Sequence, residues 1–286
     1  MSVVDLSTGR TVASITIAGH PAGIAMSRDG AKAYVTSPDG HMLSVLDAAS
    51  RSVTRQVMLP GGPLGVAVSP DGAKVFVADW YGDQVTMVDA ATGTPGAAIT
   101  VGHSPSGLAV TPDNALLIVA NRLDNTVSLV DTATLRQVDV IPVGQHPFGV
   151  TIDASGTRAY AADVESDDVA VIDLPTRRLL TRIPVGKRPY VVALAGGRGF
   201  VTNEQGGSLT AFDLVTLQPI GSVEVGSMPE GIEDSRGGQT LYVANWMDDT
   251  ISVVDARELK VTATLPAGDS PRAFGTFLRS TGEGSQ

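Results

Sequence analysis

The feature that most constrains this chain is an internal repeat of about 42 residues that runs through its whole length. Aspartates that end an apolar stretch and prolines that begin one both return at steps of 42, 42, 42, 42, 40 and 42 residues. The aspartates are Asp5, Asp47, Asp89, Asp131, Asp173, Asp213 and Asp255, and the prolines are Pro21, Pro63, Pro105, Pro147, Pro189, Pro229 and Pro271. Self-similarity at such a period indicates stacked or radially arranged units, each of which is one supersecondary structure.

One repeat carries four short strand patterns separated by turn signals. In residues 63–89, PLGVAVSPDGAKVFVADWYGDQVTMVD, the sequence Pro-x-Gly leads into GVAVS, then a Pro-Asp-Gly turn, KVFVAD, a loop and VTMVD. Asp-Gly pairs suit short hairpin turns, and the aspartate with a Ser or Thr three residues later, as in Asp47 and Ser50, can bond turn backbone. We therefore expect four antiparallel strands per repeat in one all-β domain over residues 1–286, with residues 279–286 as a disordered tail.

The motifs Pro-x-Gly, Pro-Asp-Gly, Tyr-Val-x-Asn and Val-x-Val-Ile-Asp resemble the YVTN-family repeat. The match is visible at 63–89 and again at LYVANWMDDTISVVD, residues 241–255. The resemblance covers essentially the whole chain and implies a seven-bladed β-propeller, in which the first strand of each blade lines a central channel and the fourth lies outside.

The two ends of the chain divide one repeat between them. Residues 2–5, SVVD, match a third strand, whereas residues 271–278, PRAFGTFL, match a first strand. We expect the last blade to be closed by both termini and to lack its second strand. A relative would begin about ten residues earlier, which leaves open whether Met1 is the natural start. The location is accordingly cytoplasmic as the chain stands, or secreted or periplasmic if an N-terminal segment is missing.

Composition excludes several classes of function. The formal net charge of −10 would repel nucleic-acid phosphates. No apolar run is long enough to span a membrane, no signal peptide is visible, and the absence of Cys removes disulfides and thiolate chemistry. We expect an acidic, soluble protein that is a monomer.

Candidate functional residues lie where the repeats disagree around the predicted channel mouth. Next to the repeat prolines, the later blades carry larger and more polar residues than the first three, and these form one arc: His146, Phe148, Arg188, Tyr190, Glu230 and Arg272. His20 is the counterpart of His146 in the first repeat. The sixth inner strand adds Glu233 and Asp234 at positions that are mostly apolar in the other repeats, and a carboxylate buried there needs a compensating partner.

Two interpretations of these acidic residues stay open. In the structural one, Arg188 and Arg272 pair with Glu233 and Asp234, or water in the channel solvates these carboxylates. In the functional one, Glu230 and Glu233 form an acidic pair, His146 or Tyr190 transfers protons, and Arg188 and Arg272 bind an anion.

Aromatic side chains on the predicted second-to-third-strand loops extend the candidate ligand surface. Trp80 with Tyr81, and Trp246, can stack on a flat or sugar ligand or cover neighbouring loops instead. No cofactor is required by the sequence and no metal site is predicted. Ca²⁺ or Mg²⁺ bound through Glu230, Glu233 or Asp234 is an alternative, because oxygen ligands suffice for hard cations.

The leading hypothesis is a propeller that binds a small polar or anionic molecule at the channel mouth. It includes acid–base catalysis of the lyase, isomerase, cyclase or hydrolase type. The competing hypothesis is a non-enzymatic YVTN-type interaction protein or cell-surface scaffold, and a fold alone does not distinguish the two.

Overall fold

The computed structural model describes residues 1–235 and 237–279, and these residues form an all-β propeller of 27 strands. A two-stranded sheet comes first, with β1 (Ser2–Asp5) and β2 (Arg10–Ser14). Six sets of four consecutive antiparallel strands follow.

The first three four-stranded blades are β3 (Gly23–Met26), β4 (Lys32–Ser37), β5 (Met42–Asp47) and β6 (Ser52–Met58); β7 (Pro63–Val68), β8 (Lys74–Asp79), β9 (Gln84–Asp89) and β10 (Pro95–Thr100); and β11 (Pro105–Val110), β12 (Leu116–Asn121), β13 (Thr126–Asp131) and β14 (Arg136–Pro142). The next three are β15 (Pro147–Ile152), β16 (Arg158–Asp163), β17 (Asp168–Asp173) and β18 (Arg178–Pro184); β19 (Pro189–Ala195), β20 (Arg198–Asn203), β21 (Ser208–Asp213) and β22 (Pro219–Glu224); and β23 (Pro229–Asp234), β24 (Thr240–Asn245), β25 (Thr250–Asp255) and β26 (Lys260–Pro266). The last strand is β27 (Phe274–Thr276).

The hydrophobic core lies between neighbouring blades and is built mainly from their second and third strands, with apolar residues of the inner strands added. In β12, Leu117 and Val119 face one neighbour while Ile118 and Ala120 face the other, and all four are fully buried. The fourth strands, such as β14, are largely exposed. Burial on both faces explains why the inner sequences read as continuous apolar runs rather than as alternating ones.

The glycine of each Pro-x-Gly motif lets the inner strands of adjacent blades approach closely. A Cβ atom on Gly65 would lie 1.7 Å from the carbonyl oxygen of Ser106 in the next blade, and one on Gly107 would lie 2.3 Å from that of Phe148. At these two contacts a side chain does not fit unless the backbones of the adjacent blades move apart.

The turn chemistry expected from the sequence is confirmed. Asp47 accepts hydrogen bonds through Oδ1 from the backbone N–H of Ala49 (3.1 Å) and Ser50 (2.7 Å) and from the Ser50 hydroxyl (2.9 Å). Asp255 accepts the two backbone N–H bonds even though Glu258 replaces the Ser or Thr.

The expected last blade, closed by both termini and lacking its second strand, does not form one hydrogen-bonded sheet within the described residues. Instead, β27 pairs in parallel with β3 of the first blade, matching Phe274 with Gly23 and Thr276 with Ala25. Within the described residues, β1 pairs only with β2. The physical reason is that an inner strand and a third strand stand two strand spacings apart, roughly 10 Å, beyond hydrogen-bonding reach.

The predicted tail lies outside the described residues from position 280 onward. Arg279, its first residue, donates a hydrogen bond from Nη1 to the carbonyl oxygen of Ala48 at 3.0 Å. A search of the described residues finds no helix that is long and apolar enough to cross a membrane.

Candidate functional site

A small cavity lies at the channel mouth and is lined by residues of the inner strands. Its lining residues are Ala22, Leu64, Phe148, Tyr190, Glu230, Arg272 and Phe274. The first six each follow a repeat proline. The equivalent residue of the third repeat, Ser106, is buried, and its hydroxyl donates hydrogen bonds to the carbonyl oxygens of Pro147 and Phe148. The Pro-x-Gly register thus decides which side chains meet at the mouth.

The cavity is small. Its volume of about 20 Å³ is enough for about one water molecule. A larger ligand therefore has to bind above this cavity or displace the side chains that cover it.

Aromatic rings form the floor of the mouth. Phe148 stacks on Tyr190 with ring centroids 4.0 Å apart and lies 4.7 Å from Phe274. Trp80 meets Phe148 edge-on at 5.9 Å. These rings place apolar surface beside the polar groups of the mouth.

Glu230 is the buried carboxyl of this mouth. It is 2% exposed, and the Nε atom of Arg272 lies 3.7 Å from its Oε2 atom, which is longer than a hydrogen bond. Burial raises the pKa of Glu230 to about 7, while Arg272 opposes the rise and the carboxylate of Glu204 adds to it. A carboxyl with such a pKa changes its charge near neutral pH.

Tyr190 lies between acidic groups and keeps its proton. Burial raises the pKa of its phenol strongly, and the carboxylates of Glu230 and Glu204 raise it further. The side chain is therefore a neutral phenol, able to donate a hydrogen bond.

Arg188 connects a second group of charged residues beside the same mouth. Its Nε atom donates to Glu204 at 3.1 Å and its Nη1 atom to Glu165 at 3.3 Å. The hydrogen bond to Glu204, above all, raises the pKa of the guanidinium. His146 lies 3.7 Å from Glu165 through Nδ1, and this buried nitrogen has no hydrogen-bond partner within the described part of the chain.

Arginine side chains cover the two tryptophans. The guanidinium of Arg122 lies 5.4 Å from the ring centre of Trp80, and that of Arg272 lies 4.4 Å from the ring centre of Trp246. Cation–π contacts of this kind hold the arginines in place. Tyr81 remains 67% exposed, so it is the more accessible ring of the predicted aromatic group.

Two charged residues of the mouth, Arg122 and Glu204, were missed by the sequence analysis. Both follow the residue at the asparagine position of the second strand, which is also where Trp80 and Trp246 stand. A comparison of this position across all the repeats would have identified both residues.

The structure separates Glu233 from Glu230. Whereas Glu230 lines the cavity, the Oε2 atom of Glu233 accepts hydrogen bonds from the backbone N–H groups of Phe277 (2.5 Å) and Leu278 (2.6 Å). Glu233 is not among the described residues that line the cavity. The charged neighbour of Glu230 there is Arg272.

His20 stands apart from the later-blade arc. Its side chain is 90% exposed, and Nδ1 lies 2.7 Å from an oxygen of Asp39. Its contact is thus a surface pair rather than a part of the cavity.

Replacing Glu233 with alanine is expected to lower the free energy of unfolding by about 1–3 kcal/mol, because two half-buried N–H groups lose their acceptor. Glu233→Gln keeps an acceptor oxygen and is expected to lose less. Urea denaturation of both variants checks this, with Glu224→Ala, an exposed carboxylate of the preceding blade, as the control. A Glu233→Ala variant as stable as the wild type would contradict this role.

No group of three or more His, Asp or Glu residues is arranged to hold a metal ion within residues 1–235 and 237–279. The oxygens of Glu230 line the cavity, but they face an arginine rather than further carboxylates.

Comparisons with known proteins agree with the architecture. A family model described as lactonase, 7-bladed beta-propeller, matches residues 90–185. This stretch contains His146 and Phe148 but neither Glu230 nor Arg272. No curated protein matches the chain significantly.

Solved structures share the whole fold at low sequence identity. A chain of the Kuenenia stuttgartiensis hydrazine synthase superposes with a TM-score of 0.81 at 22% identity, covering 91% of this chain and 90% of that one. A functionally unknown protein from Desulfotomaculum acetoxidans superposes with a TM-score of 0.79 at 15% identity, covering 96% of both chains. At these identities the likeness concerns the fold.

Proposed function

We propose that this β-propeller binds a small polar or anionic molecule at its channel mouth and exchanges a proton with it through Glu230. The observation that carries the proposal is the position of that carboxyl. It is almost completely buried, it lines a cavity, and it stands next to an arginine too distant for a hydrogen bond. Buried carboxyls with raised pKa values concentrate at functional sites.

The neighbouring groups have complementary roles in this proposal. Arg272, held on Trp246, binds the negatively charged part of the ligand. Arg188 is a second anion anchor at the edge of the mouth, Tyr190 donates a hydrogen bond from its neutral phenol, and His146 supplies a further proton-transfer group through its unpartnered nitrogen.

Hydrolysis of a cyclic ester is the reaction class that we propose first. The family model that matches residues 90–185 is described as lactonase. In such a reaction the deprotonated Glu230 accepts a proton from water as the water oxygen bonds to the ester carbonyl carbon, and the arginines stabilise the developing oxyanion. The ring C–O bond then breaks, Glu230 returns the proton to the leaving alkoxide, and the product is a hydroxy acid. Lyase and isomerase chemistry would use the same carboxyl as the base.

We also propose that the propeller has seven blades of the YVTN type. The 42-residue repeat supports this count, and so does the position of the terminal strands. β27 contacts the inner strands β23 and β3 on its two sides, and β2 contacts the outer strand β26. β27, β1 and β2 thus supply the first, third and fourth strands of the seventh blade.

The small volume of the cavity favours a second candidate, a non-enzymatic interaction protein or scaffold. A cavity that admits about one water molecule leaves little room for a substrate unless Arg272 moves away. In this alternative, the charged and aromatic mouth is a docking surface for a partner protein, and the role of Glu230 is structural.

The test is the hydrolysis of a panel of five- and six-membered lactones, with and without carboxylate substituents, followed in a pH-stat. The deprotonated carboxyl is the active base, so kcat/KM is expected to rise with pH and level off above about 7. Glu230→Gln is expected to lose at least about 100-fold and to remove this inflection. Arg272→Gln is expected to raise KM for carboxylated lactones and to move the inflection upward, because the cation that opposes protonation is gone.

Thermal shift with the corresponding hydroxy acids distinguishes binding from catalysis, and Glu224→Gln is the matched surface control. If no lactone is hydrolysed and no hydroxy acid shifts the melting temperature of the wild type, the scaffold candidate replaces this proposal. An unchanged pH profile in Glu230→Gln would remove Glu230 from the chemistry.

A further inference from the structure

The guanidinium of Arg272 at the channel mouth has unused hydrogen-bond donors. It lies over the ring of Trp246, 4.4 Å from the ring centre, and its side chain is 39% exposed. None of the described residues accepts a hydrogen bond from it, since its Nε atom is 3.7 Å from the carboxylate of Glu230. The planar fork of N–H donors in a guanidinium suits a carboxylate. Arg272 is therefore the place at which an anionic group of a ligand would bind.

The other two guanidiniums of the mouth are engaged elsewhere. Arg122 lies over Trp80. Arg188 donates to the carboxylates of Glu204 and Glu165. These last three residues together carry one positive and two negative charges, so the group that Arg188 forms adds no net positive charge to the mouth.

Glu230 is the carboxyl that an anion on Arg272 would meet. It lies on β23 and is 2% exposed, and Arg272 is the only cation within 4 Å of its oxygens among the described residues. The other polar groups that act on it are the neutral phenol of Tyr190 on β19 and the carboxylate of Glu204 after β20. An anion bound to Arg272 therefore places a second carboxylate beside Glu230 without adding a cation.

Two carboxylates that share one cation do not both stay ionised. Like charges at this distance repel each other, and a buried carboxylate also loses its hydration, so the pair retains one proton. The adjoining cavity has room for about one water molecule, which limits hydration of Glu230. Burial already raises the pKa of Glu230 to about 7, whereas a ligand carboxylate in water ionises near pH 4. Glu230 is therefore the group that takes the proton.

We propose that the channel mouth binds a carboxylate ligand together with one proton, which Glu230 holds while the ligand carboxylate pairs with Arg272. The protonated Glu230 can then donate a hydrogen bond to the ligand. The inference rests on the anion binding proposed above, but not on the lactone reaction.

For the lactone reaction, this state is the product complex. Ring opening forms a carboxylic acid beside the ionised Glu230, and the acid passes its proton to Glu230. The product leaves as a carboxylate, and Glu230 releases the proton to solvent before it can act as a base again.

The experiment is isothermal titration calorimetry of the full chain with 4-hydroxybutanoate, the hydrolysis product of a five-membered lactone, between pH 6 and pH 9. Titrations in two buffers with different heats of ionisation give the number of protons taken up. At pH 8 we expect about 0.5–1 proton per bound anion. The dissociation constant should be constant below about pH 7 and should rise by up to about tenfold per pH unit above it.

Variants assign the proton to a residue. Glu230→Gln is uncharged at every pH, so it should bind the anion without proton uptake and, at pH 9, at least about tenfold more tightly than the wild type. His146→Gln removes the other titratable group, whose Nδ1 atom lies 3.7 Å from Glu165, and should keep the proton uptake. Arg272→Gln should weaken binding at least about tenfold at every pH. Glu224→Gln is the surface control.

Three results would overturn this inference. Equal affinity from pH 6 to pH 9 without proton uptake would mean that the anion binds beside an ionised Glu230, and it would leave the proposed binding function in place. Proton uptake that persists in Glu230→Gln and disappears in His146→Gln would assign the proton to the histidine. The third result is no binding of 4-hydroxybutanoate at about 10 mM at any pH. Proton-linked binding without lactone hydrolysis would support the inference and reject the reaction, so the two fail separately.

Discussion

Replacing Asp163 with asparagine is expected to stabilise this protein above neutral pH and to flatten the pH dependence of its stability. Asp163 is completely buried at the end of β16 and pairs across the sheet with Asp168 on β17. Burial, with Asp168 beside it, raises the pKa of Asp163 to about 8. One of its oxygens accepts a hydrogen bond from Gly144, and the other has no donor within the described residues.

The direction in which the free energy of unfolding changes with pH follows from proton linkage. The folded protein holds the Asp163 proton up to about pH 8, whereas the unfolded chain releases it near pH 4. Between these values the folded state binds more protons, so the free energy of unfolding falls with rising pH, by at most about 1.4 kcal/mol per pH unit. Asparagine carries no such proton, so the slope of Asp163→Asn should be smaller.

Asparagine also suits the local hydrogen bonds. At the same position in the third blade, Asn121 donates from Nδ2 to Thr126 (3.0 Å) and Ser128 (2.8 Å). In the Asp163→Asn variant, the new amide would donate to the carboxylate of Asp168, which is already paired with Arg182. At pH 8 we expect a gain of about 2 kcal/mol, or roughly 5 °C in melting temperature.

Melting temperatures measured between pH 5 and pH 9 check this prediction. Asp79→Asn is the matched control, because Asp79 holds the same position in the second blade. The uncharged Gln84 stands there in place of Asp168, and this variant leaves the pair of Asp163 and Asp168 intact. The control should keep the slope of the wild type. An Asp163→Asn variant that is less stable than the wild type at every pH would contradict the interpretation that Asp163 is protonated beside Asp168.

Replacing Gly65 with alanine is expected to destabilise the protein by about 3 kcal/mol or more. The new Cβ atom would lie 1.7 Å from the backbone carbonyl oxygen of Ser106. Neither atom belongs to a flexible side chain, so the inner strands of the second and third blades have to move apart. The melting temperature should fall by roughly 6–12 °C.

Gly206→Ala is the control for this effect. Its added methyl would meet the Ser208 hydroxyl at 3.2 Å, a side chain that can rotate away. We expect it to change the free energy of unfolding by less than about 0.5 kcal/mol. If thermal and urea denaturation show similar losses of stability in the two variants, the close approach of the inner strands is not the reason that position 65 requires glycine.

Several elements of the fold are readable from the sequence because each depends on local chemistry. Asp47 marks the end of a strand and bonds the turn that follows, as its spacing to Ser50 predicts. The arc of residues after the repeat prolines was also foreseeable, since a constant register places them on one ring; Phe148, Tyr190, Glu230 and Arg272 do meet at one cavity.

The partners of the charged residues were less predictable. Glu230 and Glu233 looked alike in sequence, yet one lines the cavity and the other binds the backbone at Phe277 and Leu278. Trp80 and Trp246 looked available for a ligand, but arginines cover them. Such choices depend on side-chain directions and on contacts between blades more than 40 residues apart.

The sequence by itself determined the repeat, the four-stranded unit, the turns and the ring of mouth positions, because a period of 42 residues and the bonding of Pro, Gly and Asp are local properties. Only the tertiary structure decided how the ring closes, with β27 on β3 and, within the described residues, β1 paired with β2 alone. It alone decided that Glu230 would be the carboxyl removed from water. Burial and charge are sums over neighbours from several blades, and no single repeat contains that information.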